Sequence, residues 1–192
     1  MSPTLNLLHQ RAPVSGLSPS FINALHADAP ARDRAEKMGL YGWLIGAWEM
    51  DVQVHLANEA EYRGKGEIHF GWVLEGRAIQ DVWITPTRGQ RNDPVAAAAN
   101  FYGSTFRIYD PGIDAWHIFW LDPVKQFYSR MIGRADGKDI EQLTVGETPQ
   151  RRWRFSEIKP NSFHWTADVD EGTDGDVKWR RHVEFFAKRI AG

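Results

Sequence analysis

Three side chains are of a type that could do acid–base or orienting chemistry in an apolar pocket: Asp81, His117 and Arg130. A carboxyl desolvated in such a pocket is driven toward neutral pKa and can exchange a proton, and a guanidinium can hold a polar substrate group. Against this, Asp81 and Arg130, like Gln80, Tyr102, Arg107 and Tyr128, read more simply as exposed groups or ordinary salt-bridge partners. His117 reads as a neutral imidazole bonded to a buried carbonyl. No catalytic residue is assigned, and the three stand as candidates.

Metal and cofactor chemistry are not expected. His9, His26, His55, His69, His117, His164 and His182 are dispersed and mostly fall on polar faces, and the chain has no cysteine. Metal ligands come clustered, and thiolate sites and disulfides need cysteine. The nucleophile elbow, the zinc-helix pattern, the phosphate-cradling loop and the dinucleotide fingerprint are all missing.

The elements that must position any site follow from length and pattern. The 192 residues suit one barrel-sized domain, and 42% hydrophobic residues supply its core. A formal charge of −2 with scattered basic residues disfavours nucleic acid. With no run of eighteen apolar residues and no signal-peptide pattern, membrane spanning and secretion are not expected, and the cytoplasm is the default compartment.

Residues 1–38 divide into a mixed tail and two short helices. Ser18 and Pro19 begin the first, and a second spans Ala31 to Met38 and stops at Gly39. The helices cover one end of the domain that occupies 39–192. From Gly39 onward apolar residues recur at every second position, the period of a strand with one buried face. Trp48, Met50, Val52, Val54 and Leu56 alternate with Glu49, Asp51, Gln53 and His55. The pattern returns at Ile68, Phe70, Trp72 and Leu74, at Phe163, Trp165, Ala167 and Val169, and at Trp179, Val183 and Phe185.

Further strands fall near 77–85, 101–109, 114–122, 126–133, 139–146 and 150–158, punctuated by turns such as Asp110-Pro111-Gly112. About ten strands with short links predict an all-β fold, a closed antiparallel meander barrel. The 86–100 connection is long and reads first as a surface loop with one helical turn, otherwise as a portal lid. The 114–121 strand is apolar on both faces, so its outer side meets the helices or a second subunit, consistent with a homodimer.

A barrel of this width holds space beyond its own side chains. The expected lining is Met50, Val52, Phe70, Trp72, Phe106, Trp116, Trp120, Trp165 and Phe185. Nine tryptophans exceed what core packing in one small domain usually needs, although packing remains the first reading of each.

Gly46-Ala47-Trp48, following a short helix and opening the first long strand, resembles the Gly-x-Trp signature of lipocalins. That resemblance implies a structural role for Gly46 and Trp48 and a last-strand Arg stacked across the indole. Arg181 is the first choice, with Arg180 and Arg189 behind it. From about Leu40 to Arg189 the chain is also similar to bacterial lipocalin-like proteins, through stretches such as Gly71-Trp72-Val73-Leu74-Glu75-Gly76-Arg77-Ala78 and Arg152-Trp153-Arg154-Phe155. The likeness implies a calycin-type barrel and no particular activity. A more distant similarity, to nitrobindin and the fatty-acid-binding proteins, raises haem held by His182. Parity disfavours it, because His182 falls with Lys178, Arg180 and Glu184 on the solvated side.

The leading expectation is a non-catalytic binder of a small apolar or amphipathic molecule. The alternatives are an isomerase, cyclase or hydrolase using the same cavity, a protein-interaction module whose cavity is filled and idle, and a haem binder.

Overall fold

The computed structural model describes residues 19–55, 61–91, 100–173 and 175–190. Helix α1 (Pro19–Leu25), the two-residue strand β1 (His26–Ala27), a 3-10 turn (Arg32–Arg34) and helix α2 (Ala35–Gly42) precede ten strands. These are β2 (Gly46–His55), β3 (Glu61–Val73), β4 (Ala78–Thr85), β5 (Phe101–Asp110), β6 (Ala115–Asp122), β7 (Phe127–Asp136), β8 (Asp139–Thr144), β9 (Arg151–Lys159), β10 (Ser162–Asp170) and β11 (Trp179–Arg189). Each of the ten pairs antiparallel with the next, and β11 returns to β2, so the sheet closes on itself. Strand β1 adds to β3. The expected antiparallel meander barrel is the observed fold. Leu56, the amino-terminal tail and residues 92–99 of the long connection lie outside the described residues.

Alternation builds the wall as the pattern requires. In β2, Trp48, Met50, Val52 and Val54 are buried, while Glu49, Asp51, Gln53 and His55 are on the other face. Closing the sheet gathers these inner side chains into one core and leaves the ten strands without a free edge among themselves.

Helix α2 starts at Ala35 and runs through Gly39 to Gly42, so the predicted 31–38 helix ending at Gly39 is displaced along the chain. Met38 and Tyr41, three residues apart and fully buried, share one face that plugs the barrel base. Tyr41 meets Trp116 edge-on at 4.9 Å. This burial exceeds the roughly 1 kcal/mol that a mid-helix glycine costs.

The base is closed by Trp48 and Arg189, residues directly opposite one another on β2 and β11. The Arg189 guanidinium lies 4.1 Å from the indole centroid and donates to the carbonyls of Ile45, Trp43 and Pro160. Gly46 has φ +120°, and a Cβ there would sit 3.0 Å from Arg189 Nη1, which accounts for glycine at the first signature position.

Arg181, expected in this role, is instead on the outer face, where its Nε donates to Asp168 at 2.6 Å. A β-bulge is the reason. Ala167 pairs with Val183 but Asp168 pairs with Arg181, so His182 is an extra residue and alternation inverts on either side of it. Trp179 follows Arg181 outward, with the Arg152 guanidinium 4.5 Å over its ring.

Candidate functional site

The barrel interior is filled for most of its length. Around Asp81 and Arg107 there remains a void of about 10 Å³, lined also by Ile68, Phe70, Thr105, Trp153 and Phe155. That is room for roughly one water. Asp81 and Arg107 are 4% and 2% exposed, and Arg107 Nη1 donates to Asp81 Oδ2 at 2.7 Å. Asp81 Oδ1 accepts the Thr105 backbone N–H at 2.8 Å. The guanidinium lies within 6 Å of the Tyr41, Phe70 and Phe155 rings, so the pair is enclosed by aromatics. Arg107 Nε and Trp83 Nε1 are buried without a hydrogen-bond partner among the described residues.

Above this chamber, Trp83, Trp153 and Trp165 form a floor, and beyond the floor a cleft of about 220 Å³ opens at the end of the barrel opposite α2. Its walls include Phe101, Trp120, Phe127, Ala167 and Val183, and its rim carries Asp122, Lys125, Arg151 and His182. Trp83 stacks on Phe101 at 5.5 Å and meets Trp165 edge-on at 4.9 Å, while Trp153 meets Trp120 at 5.9 Å and Trp165 at 5.4 Å. Interlocked rings of this kind hold a fixed apolar surface. Gly103 makes it possible on one side: a Cβ there would collide with the Trp120 indole.

The rim is basic. Lys125 Nζ lies 3.7 Å over the Phe101 ring, and the Arg151 guanidinium lies 5.1 Å over Phe127. Partial burial lowers the Lys125 pKa against the pull of Asp122. Partial burial also lowers the His182 pKa, helped by Arg180, Lys125, Arg151 and His55. Asp122, itself buried, accepts the backbone N–H groups of Val124 and Lys125 through Oδ1, and its Oδ2 has no hydrogen-bond partner among the described residues.

The expected lining residues separate into groups. Trp120 and Trp165 line the cleft, and Phe70, Trp165 and Phe185 line the inner chamber. Met50 and Val52 are buried in the packed core, Trp116 is buried against Tyr41 at the base, and Trp72 packs beside Gly42 of α2. Phe106 does not face the lumen. Its neighbours Thr105 and Arg107 do, because the Asp81 partnership puts the polar set of β5 inside.

Among the candidates for chemistry, only Asp81 is inside. Arg130 is exposed. His117 lies on the outer parity of β6 and bonds the Asp110 carboxylate at 2.9 Å rather than a buried carbonyl. His182, placed on the solvated side by parity, is exposed, and as the bulged residue it also borders the cleft. The cleft, at about 220 Å³, is smaller than the roughly 300 Å³ at which pockets for drug-sized ligands begin.

The rim residues Asp122, Lys125 and Arg151, and the aromatics Trp83, Phe101, Phe127 and Trp153, were not foreseen. The tryptophan count is the one signal that pointed toward the aromatics. A separate hollow of about 480 Å³ lies outside the wall between Val82, Tyr102, Ser104, Leu121 and Val124, and is open to solvent.

The closed ten-stranded meander, the helix at its base and the Gly46–Trp48–Arg189 seal define a barrel of lipocalin-like fold. Among solved structures, the chain is similar to Rv2717c from M. tuberculosis, with 13% identity, a TM-score of 0.53, and coverage of 82% of this chain and 99% of that one. It is likewise similar to the S-type phycobiliprotein lyase CPES from Guillardia theta, with 12% identity, a TM-score of 0.53, and coverage of 85% and 99%. At such identities the likeness concerns the fold. No protein-family model and no curated protein matches the sequence. No described helix is long and apolar enough to cross a membrane.

Proposed function

We propose that the protein binds a small apolar or amphipathic molecule in the mouth cleft rather than in a deep lumen. The observation that carries this reading is the cleft itself, a concave surface walled by Trp83, Phe101, Trp120, Phe127, Trp153 and Trp165. Burial of a ligand's apolar surface there supplies roughly 25 cal/mol per Å². The indole floor closes the path to the interior, so a compact ring-bearing ligand suits the cleft better than a long acyl chain.

The test is tryptophan quenching by two uncharged molecules, 2-naphthylmethanol and hexadecanol. The compact alcohol is expected to saturate the signal and the long one to bind no more tightly. Ala167→Phe, which fills the cleft from its wall, abolishes the binding while leaving the far-ultraviolet spectrum unchanged. Failure of the compact alcohol to bind, or undiminished binding to Ala167→Phe, would contradict the reading.

A second reading rests on the outer hollow. Tyr102, Leu121 and Val124 are exposed there, and none of the described residues lining the hollow is charged. A face of this kind does not repel a second copy of itself, and monomers seldom expose a large apolar patch. Self-association through β5 and β6 is the corresponding proposal.

A further inference from the structure

We infer that the mouth cleft selects a ring-bearing molecule with one uncharged hydrogen-bond donor, which that group gives to Asp122 Oδ2. The inference rests on the cleft-binding reading above and adds the chemistry of the ligand's polar group. Asp122 closes β6 on the strand's inner parity, after Trp116, Ile118 and Trp120. Its carboxylate is therefore turned inward beside the Trp120 wall, opposite Phe127 of β7, and lines the cleft at 2% exposure.

The two carboxylate oxygens are used unequally. Oδ1 accepts the backbone N–H groups of Val124 at 3.0 Å and Lys125 at 3.2 Å and so shapes the β6–β7 turn. Oδ2 has no hydrogen-bond partner among the described residues. A carboxylate offers acceptors only, and a buried acceptor left unsatisfied is unfavourable. The turn needs one side-chain oxygen, which asparagine would supply as well. The second oxygen is left for a donor from outside the chain, and small-molecule sites typically combine apolar walls with a few such polar groups.

What Oδ2 lacks is a donor and not a counter-charge. Arg151 Nη1 donates to Glu147 at 2.6 Å. Lys125 is engaged as well: it lies over the Phe101 ring, has a further partner, and feels the Asp122 charge. An ammonium head would also donate, but it would set a second cation beside Lys125, and like charges repel strongly where water is scarce. The donor is accordingly neutral.

The experiment follows tryptophan quenching of the full chain near pH 7 by 2-naphthylmethanol, its methyl ether and 2-naphthylmethylammonium. The ether keeps the ring and the oxygen and cannot donate. The wild type is expected to bind the alcohol at least about tenfold more tightly than the ether, and the ammonium no more tightly than the alcohol. Asp122→Asn keeps an oxygen for the turn and presents an N–H donor where Oδ2 was. Alcohol and ether oxygens can both accept from it, so the preference is expected to fall to within about threefold, with the far-ultraviolet spectrum unchanged. Nuclear magnetic resonance of the wild type gives an independent reading: the Asp122 carboxyl carbon signal moves on saturation with the alcohol and stays put with the ether. Equal binding of alcohol and ether by the wild type, or a tenfold preference that survives in Asp122→Asn, overturns the inference while the cleft stands. So does an unmoved Asp122 carboxyl with the alcohol bound, or an ammonium that binds more tightly than the alcohol. Failure of all three molecules to bind the wild type overturns cleft and inference together.

Discussion

Arg189 and Trp48 face each other across the β2–β11 pair, and the guanidinium covers the indole at 4.1 Å while donating to three backbone carbonyls at the barrel base. Those carbonyls belong to the approach to β2 and to the β9–β10 turn, so one side chain ties together segments distant in sequence. Arg189→Ala removes the cation–π contact and leaves the carbonyls short of a donor, at an expected cost of about 1–3 kcal/mol. Arg181→Ala should cost under about 1 kcal/mol, since Arg152 still holds Asp168. Urea denaturation of the two variants checks the order, and a larger loss for Arg181→Ala would contradict the assignment of the seal.

Inside the barrel, the Asp81–Arg107 pair predicts a different pattern. Removing one partner strands a buried charge, so Asp81→Ala or Arg107→Ala should destabilise by about 3–5 kcal/mol. A double variant carrying Asp81→Leu with Arg107→Met should recover much of that, because a well-packed apolar pair is often no worse than a buried ion pair. Denaturation midpoints of the three variants give the comparison. Additive losses in the double variant would contradict the coupling.

On the outer surface, Arg88 and, less strongly, His69 hydrogen-bond Glu67 and hold its pKa at about 2, below its ordinary 4.5. A lowered folded-state pKa stabilises the fold above the unfolded value, and the contribution fades as pH falls from about 4.5 through 2. Glu67→Gln should therefore lose less stability than the wild type over that interval. Denaturation at pH 5, 4, 3 and 2 checks it, and parallel curves for the two proteins would contradict it.

The outer apolar hollow supplies a fourth expectation. Leu121→Lys places a charge in it without touching the cleft. If copies associate there, sedimentation velocity will show a concentration-dependent dimer in the wild type and a monomer in the variant. A wild-type monomer at every concentration removes that reading and leaves the cleft unaffected.

Much of the wall was legible in the order of residues. Strict alternation in β2, and again at Ile68 and Phe70 in β3 and at Phe163 and Trp165 in β10, marks the buried face, and turn residues mark the hairpins that make the meander. The pattern fails at the end of β3, where Val73 is buried and Leu74 exposed, and at the end of β10, where Asp168 is buried by its arginine partners. The failures have physical causes. In β5 the inner set includes Thr105 and Arg107, whose place inside depends on Asp81 from the neighbouring strand, so the apparent apolar face containing Phe106 points outward. In β11 one extra residue at His182 reverses parity, and no local chemistry in Trp179-Arg180-Arg181-His182 announces it. Lys125 and Arg151 become neighbours at the cleft only through barrel closure, which brings a turn and a strand start to the same rim.

Location decides the central claim, and the nine indole N–H groups report it directly. In 15N-labelled protein titrated with 2-naphthylmethanol, the indole signals of Trp83, Trp120, Trp153 and Trp165 should move together and saturate, with those of Trp48 and Trp116 at the base unmoved. Saturable shifts confined to the backbone amides around Tyr102 and Leu121, or no saturable shift of those four indoles, would contradict a ligand site at the mouth of the barrel.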